Sequence, residues 1–203
     1  MDPQLTIALA GNPIRQDDGF NALTGSHQAC GQLSRHYRGE EGRLHQDAFG
    51  RCVRFIDLPG TYSLTAYTQE ETVARHVLAQ ERPDVVIDVL NAGALERNLY
   101  LTLQLLELEM PMVVALNMMD LVKKSGDKID VAGLSKQLGC PIVETTALKG
   151  HGMAELMETA VKAAKAGKPA EPKMPFDAQV EEASRRSRAF WATACLRQPR
   201  AGS

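Results

Sequence analysis

The sequence predicts an α/β fold: a mostly parallel sheet of about six strands with helices on both faces. Three observations predict it. Short apolar runs alternate along the chain with segments whose apolar residues recur at helical spacing. The run Val85-Val86-Ile87-Asp88-Val89-Leu90 is β-branched and apolar on both faces, as a strand buried in a parallel sheet must be. Several runs end in polar or turn residues, which places those residues at the carboxyl rim of the sheet, where open α/β folds bind ligands.

The elements follow in order. Leu5 to Ala10 reads as a central strand, ended by the turn residues Gly11-Asn12-Pro13. Asn21 to Gly25 reads as the last turn of a short helix with Gly25 as its C-cap. Residues 26 to 50 show no clear period. Arg51 to Asp57 is the second strand, and Thr68 to Ala79 has apolar residues spaced for a helix. Val85 to Leu90 is the third strand. Asn98 to Leu108 is helical, with Leu99, Leu103 and Leu106 on one side. Met112 to Leu116 is the fourth strand, ending at Asn117. Val131 to Leu138 is a helix stopped by Gly139, Ile142-Val143 a short strand, and Met153 to Ala166 the final helix. Pro169, Pro172 and Pro175 mark a linker. The expected division is one domain over 1–167, then a linker and a helical or disordered tail over 168–203.

Bulk composition bounds the function. The 203 residues suffice for one domain of common size plus an appendage. A net charge of −2 gives no reason to expect nucleic acid, and the basic tail residues Arg185, Arg186, Arg188, Arg197 and Arg200 lack interleaved aromatics. Cys30, Cys52, Cys140 and Cys195 form no CxxC, which fits a reducing compartment without a disulfide framework or zinc site. The five histidines show no metal-ligand spacing. No apolar run approaches the roughly 18 residues of a membrane span, and the expectation is a cytosolic chain without a signal peptide, the soluble end of something larger.

Three rim loops carry the chemistry. Asp57-Leu58-Pro59-Gly60 follows a strand. In nucleotide hydrolases an Asp in that place holds Mg²⁺, and a Gly lets its N–H approach a γ-phosphate. Asn117-Met118-Met119-Asp120 follows the fourth strand. A carboxylate there accepts from the two adjacent N–H groups of guanine, a donor pair that adenine lacks. Asn117 can tie neighbouring loops together, and Met118 offers an apolar side for the base. Thr145-Thr146-Ala147-Leu148-Lys149-Gly150 can present backbone N–H groups to the base carbonyl. Each loop has an ordinary alternative: a Pro-Gly turn, a helix N-cap at Asp120, a plain strand-to-helix connection. All three in this order, about 60 and then about 30 residues apart, are the pattern of a guanine-nucleotide-binding domain.

Asp57 to Leu64, Leu95 to Leu105, Asn117 to Asp120, Leu5 to Pro13 and Phe20 to Ser26 together resemble the N-terminal G domain of the bacterial ferrous-iron transporter FeoB. The resemblance covers most of residues 4 to 165 and implies a P-loop NTPase-like fold of the Era-type G-domain class. It implies GTP and GDP as ligands, Mg²⁺ held by Asp57 through water, and hydrolysis of GTP by an in-line water. It implies that Gly11, Asn12 and Pro13 remain from the phosphate loop, and that Asp57, Leu58, Pro59 and Gly60 face the phosphates. Asn117, Met118 and Asp120, with Thr146, Ala147 and Leu148, hold the base in this reading. The implied partner beyond the nucleotide is the membrane permease of the same full-length protein, with a second copy of the chain as an open expectation. The implied place is the cytoplasmic face of the bacterial inner membrane. No Gln follows Gly60, so hydrolysis is expected to be slow even in an intact relative.

Two stretches depart from that family. Its phosphate loop reads G-N-P-N-S-G-K-T-T-x-F-N, whose Lys reaches the phosphates and whose Thr holds Mg²⁺. Here Pro13 is followed by Ile14-Arg15-Gln16-Asp17-Asp18-Gly19-Phe20-Asn21, without Lys or hydroxyl. Each contact of Asp17 or Asp18 with phosphate is repulsive by on the order of several kcal/mol at an effective dielectric of about 20. Ile14 replaces the Asn that the family uses for K⁺. The segment Gly31 to Glu40 lacks the Thr that closes over Mg²⁺ in the family. Single-base deletions in codons for N-S-G-K-T-T-V-F-N reproduce Ile14 to Asn21, so these stretches are expected to be compensated frameshifts, which resequencing tests. The alternative is a regulatory pseudo-GTPase that keeps the base pocket and has lost triphosphate binding.

Overall fold

The computed structural model describes residues 5–11, 43–46, 52–65 and 67–172. The chain divides into two compact units, Met1–Pro172 and Lys173–Ser203, and the described residues belong to the first. The helix end expected at Asn21 to Gly25, the stretch from Asn12 to Glu40 and the tail beyond Pro172 lie outside the described residues.

Six strands form one sheet: β1 (Leu5–Gly11), β2 (Arg43–Gln46), β3 (Cys52–Asp57), β4 (Val85–Asn91), β5 (Met112–Asn117) and β6 (Ile142–Glu144). Their spatial order is β2-β3-β1-β4-β5-β6. β2 pairs antiparallel to β3, and every other pairing is parallel. From β1 the chain goes to β3 on one side and then to β4, β5 and β6 on the other. That reversal opens a crevice at the carboxyl rim beside β1. The parallel register brings Leu9 opposite Asp57 and Asn91 opposite Asn117.

The helices are α1 (Gln69–Glu81), α2 (Leu95–Leu106), α3 (Met119–Ser125), α4 (Val131–Leu138) and α5 (Met153–Ala166). One sheet face presents Ile7, Leu9, Ile87, Val89, Val113 and Ala115, against which Leu156 and Ala160 of α5 pack. Leu156 is 1% exposed, a position where truncation to Ala costs about 2–5 kcal/mol. The opposite face meets α2.

Local chemistry sets the helix ends. Thr68 caps α1: its hydroxyl accepts from the Glu71 N–H, and the Glu71 carboxylate accepts from the Thr68 N–H. This reciprocal pair satisfies two donors that the helix leaves open, and it gives Glu71 a structural task. Gly139 ends α4 at φ 69°, and a Cβ there would run into the Glu171 carbonyl.

Three elements differ from expectation. β2 forms within a stretch that has no periodicity, because its pairing with β3 supplies what its own sequence does not. α3 was not expected. It is short, and its N-cap is Met118 rather than Asp120, which sits inside the first turn. α2 begins at Leu95, and its buried stripe is Asn98, Leu101, Thr102, Leu105 and Leu106, with Leu99 and Leu103 only partly buried. Asn98 is tolerated in that stripe because its amide donates to the Ala94 carbonyl at 2.6 Å, and Thr102 because Asp88 lies beneath it. The Thr102 hydroxyl donates to Asp88 Oδ2 at 2.6 Å.

Candidate functional site

Asp57 ends β3, and the chain then turns over the end of β1. The Leu58 N–H donates to the Leu9 carbonyl and the Thr61 N–H to the Gly11 carbonyl, each at 3.0 Å. The Leu58 side chain is buried and anchors the turn in the core. Pro59 and Gly60 are half-buried at the rim, beside the point where residue 12 begins. Gly11 is constrained in turn: a Cβ there would meet the Val89 carbonyl at 2.8 Å. Asn12, Pro13 and Ile14 lie outside the described residues.

The segment after Gly60 is held on α2. The Arg97 guanidinium lies over the Tyr62 ring, 4.0 Å from its centre. The Leu64 N–H donates to Gln104 Oε1 at 2.6 Å. Within Leu95 to Leu105, one of the segments that carry the resemblance, Arg97 therefore holds the chain just after the rim turn.

The second and third loops converge. Asn117 is buried at the end of β5, and its Oδ1 accepts from the Met118 N–H at 2.9 Å and from the Ala147 N–H at 3.0 Å. The Thr145 N–H donates to the Leu116 carbonyl at 2.8 Å. Met118 is half-buried at φ 68°, a left-handed backbone that turns the chain from β5 into α3. Such a conformation costs a non-glycine residue about 1–2 kcal/mol; the Asn117 bond to its N–H offsets part of this cost.

Asp120 then stands at the rim, where its Oδ2 accepts from Lys149 Nζ at 2.7 Å. That hydrogen bond holds the Asp120 carboxyl below its ordinary pKa, and the charges of Lys149 and Lys124 act in the same direction. Residues Ala147–Lys149 form one 3₁₀ turn. The Thr146 N–H is taken by the His151 carbonyl and the Ala147 N–H by Asn117. Within this turn the Leu148 N–H is the donor left for a ligand, and Leu148 is 75% exposed.

A recess of about 330 Å³ opens here, lined by Asp120, Lys123, Glu144, Thr146, Lys149 and His151 among others. It lies at the small end of ligand-pocket sizes. A second ion pair, Lys123 to Glu144 at 3.2 Å, crosses its wall. Lys123, Glu144 and His151 carried no sequence signal, since each belongs to the site only through the contact of α3 with the loop after β6.

Two acidic or polar residues of β4 behave differently from each other. Asn91 makes a local turn, its Oδ1 accepting from the Gly93 N–H at 2.9 Å. Asp88, within β4, is wholly buried with Oδ1 unpaired, and burial pushes its carboxyl up to about 7. Cys140 is buried nearby, and desolvation together with Asp88 pushes its thiol up to about 12.

The residues fit a guanine nucleotide at the base end. Asp120 offers a carboxylate, Leu148 an N–H, and Asn117 holds both loops. At the metal end, no group of three or more His, Cys, Asp or Glu among the described residues could hold an ion. A single carboxylate, Asp57, suits Mg²⁺ that takes its other ligands from phosphate and water.

Comparison with known proteins follows the same lines. The family described as ferrous iron transport protein B matches residues 5–160. The chain is 42% identical over 160 residues to an Fe(2+) transport protein A/FeoB fusion protein of Porphyromonas gingivalis. That match covers 77% of this chain and 19% of the relative. It is 42% identical over 161 residues to the Fe(2+) transporter FeoB of Salmonella typhimurium, covering 75% of this chain and 20% of that one. The chain thus spans about a fifth of the length of these relatives. The FeoB G domain of Methanococcus jannaschii superposes with a TM-score of 0.70 at 40% identity, covering 81% of this chain and 99% of that one. NFeoB of S. thermophilus bound to GDP.AlF4⁻ and K⁺ superposes with a TM-score of 0.76 at 36% identity, covering 89% and 70%. No helix among the described residues is long and apolar enough to cross a membrane. With a mostly parallel sheet flanked by helices and a family match over most of its length, the chain belongs to the ferrous iron transport protein B family, as its N-terminal G domain.

Proposed function

We propose that this chain is the guanine-nucleotide module of a ferrous-iron transporter, on the cytoplasmic side of the membrane, regulating passage of Fe²⁺ through a permease of the same protein. The observation that carries the reading is the Asn117 bond to the Ala147 N–H, which joins the two base loops with Asp120 at their edge. Asp120 reads N1–H and the 2-amino group of guanine, Leu148 offers its N–H to the base carbonyl, and Met118 lies along the base. Asp57 holds Mg²⁺ through water at the other end, with Gly60 turned to the γ-phosphate. When bound, Mg²⁺ neutralises charge that develops on the transferring phosphoryl group.

A second reading concerns turnover. The sequence between Pro13 and Phe20 has no Lys and no hydroxyl, and it carries Asp17 and Asp18. The chain as written therefore binds the base and holds triphosphate weakly, a pseudo-GTPase in its phosphate half. Titration with GTP, GDP and ATP in the presence of Mg²⁺, with phosphate release measured alongside, tests both readings. Preference for GDP and GTP over ATP with negligible release is the expected result. Equal affinity for ATP would overturn the base assignment, and rapid phosphate release would overturn the second reading.

A further inference from the structure

We propose that Lys149 is an internal competitor for guanine: its ammonium occupies the base-reading carboxylate of Asp120 in the nucleotide-free chain and must leave before the base is seated. This rests on the assignment of Asp120 as the base reader. The two residues are 29 positions apart, yet Lys149 Nζ lies 2.7 Å from Asp120 Oδ2. Guanine presents two adjacent N–H donors and needs both carboxylate oxygens to meet them. With one oxygen taken by an ammonium, half of that seat is filled by the chain itself.

The loop is built to release the lysine. Lys149 closes the 3₁₀ turn, and Gly150 follows at φ 69° with nothing within 4 Å of where a Cβ would stand. Gly152, two residues on, is fixed instead, since a Cβ there would collide with the Glu144 carbonyl. Movement is therefore confined to the short arm that carries Leu148 and Lys149. Lys124 acts on Asp120 through its charge and His151 lines the recess, while Lys123 and Glu144 pair with each other at 3.2 Å. Neither substitutes for Lys149 at Asp120 in this arrangement. Exposed ion pairs of this kind are weak, so the competition tunes affinity and does not close the site. It also adds modestly to selectivity: a base without the paired donors, such as adenine, gives Asp120 nothing in place of the ion pair.

Two measurements on the full chain test this. In the absence of nucleotide, the Asp120 carboxyl is followed by carbon NMR against pH in wild type, Lys149→Met and Lys149→Arg. The midpoint is expected to rise in Lys149→Met and to stay low in Lys149→Arg. GDP is then titrated with Mg²⁺ into wild type, Lys149→Met and Asp120→Asn. Lys149→Met is expected to bind several-fold tighter and Asp120→Asn much more weakly. If Asp120→Asn loses GDP while Lys149→Met binds as wild type or worse, the competition is overturned and the base assignment stands. If Asp120→Asn binds GDP like wild type, or no form binds it, the base assignment fails. The carboxyl titration then judges the pairing alone, and equal midpoints in wild type and Lys149→Met overturn it.

Discussion

Asn117 Oδ1 accepts the Ala147 N–H across 30 residues of chain at 3.0 Å, and this bond makes one site of two loops. Both partners are buried, Asn117 at 3% and Ala147 at 6% exposure. In Asn117→Ala the Ala147 N–H is left without its acceptor, a loss of about 1–3 kcal/mol for a buried donor. Urea unfolding is expected to show that drop, and GDP affinity is expected to fall with it. Unchanged stability would mean that water reaches the loop.

In the proposed function the Asp120 carboxylate accepts two donors from guanine. An amide at that position accepts one and donates one, which suits xanthine, whose position 2 carries a carbonyl. Asp120→Asn is therefore expected to lose GDP affinity by about ten- to a hundred-fold, the worth of a bidentate pair, and to gain affinity for XDP. Competition binding with the two nucleotides reads the switch directly.

Replacing residues 14–19 by N-S-G-K-T-T-V returns the lysine and the hydroxyls to the phosphate half and removes Asp17 and Asp18. Magnesium-dependent GTP binding is expected to strengthen by at least a hundred-fold, since several kcal/mol of repulsion are replaced by attraction. Isothermal titration checks it. No gain would place the defect elsewhere, for instance in the missing Thr of Gly31 to Glu40.

Asp88 gives stability a pH dependence of definite sign. Its folded pKa is raised to about 7 by burial, above the ordinary carboxylate value. The stability it allows is full below about pH 4, where both states are protonated, and is lost as pH rises through about 7. At roughly 1.4 kcal/mol per unit the loss is a few kcal/mol. Asp88→Asn is expected to flatten the stability profile between pH 4 and 7, as urea midpoints across that range would show. A wild-type profile already flat there would contradict the buried neutral carboxyl.

Gly150 and Gly152 form a controlled pair. Both have left-handed backbones, at φ 69° and 78°, but only Gly152 has backbone where a Cβ would go. Gly150→Ala is expected to cost about 1 kcal/mol for conformation alone. Gly152→Ala is expected to cost clearly more, because the strand end at Glu144 must move. Thermal melts of the two variants give the comparison.

Much of the fold was legible in the sequence because it is written locally. Val85 to Leu90 and Met112 to Leu116 are strands by composition, and the α5 stripe is a helix by period, so five strands and four helices could be placed along the chain. Asp57 and Asn117 were legible for a related reason, and Asp120 because it follows Asn117 by three residues. A residue that ends a strand of a parallel sheet stands at the rim whatever the rest of the chain does.

What only the tertiary structure decided involves groups with no local signature. β2 has no period of its own and exists by pairing with β3. Thr102 enters a buried stripe because Asp88 lies beneath it, an interaction between strand and helix that hydrophobic spacing cannot encode. Lys149 reads as a surface lysine until folding brings the α3 carboxylate within 2.7 Å of it. The sequence by itself determined where five of the strands lie and that Asp57 and Asn117 stand at their carboxyl ends. The packing of loops 30 residues apart decided which of those residues touch, because a hydrogen bond depends on distance in space and periodicity reports only distance along the chain.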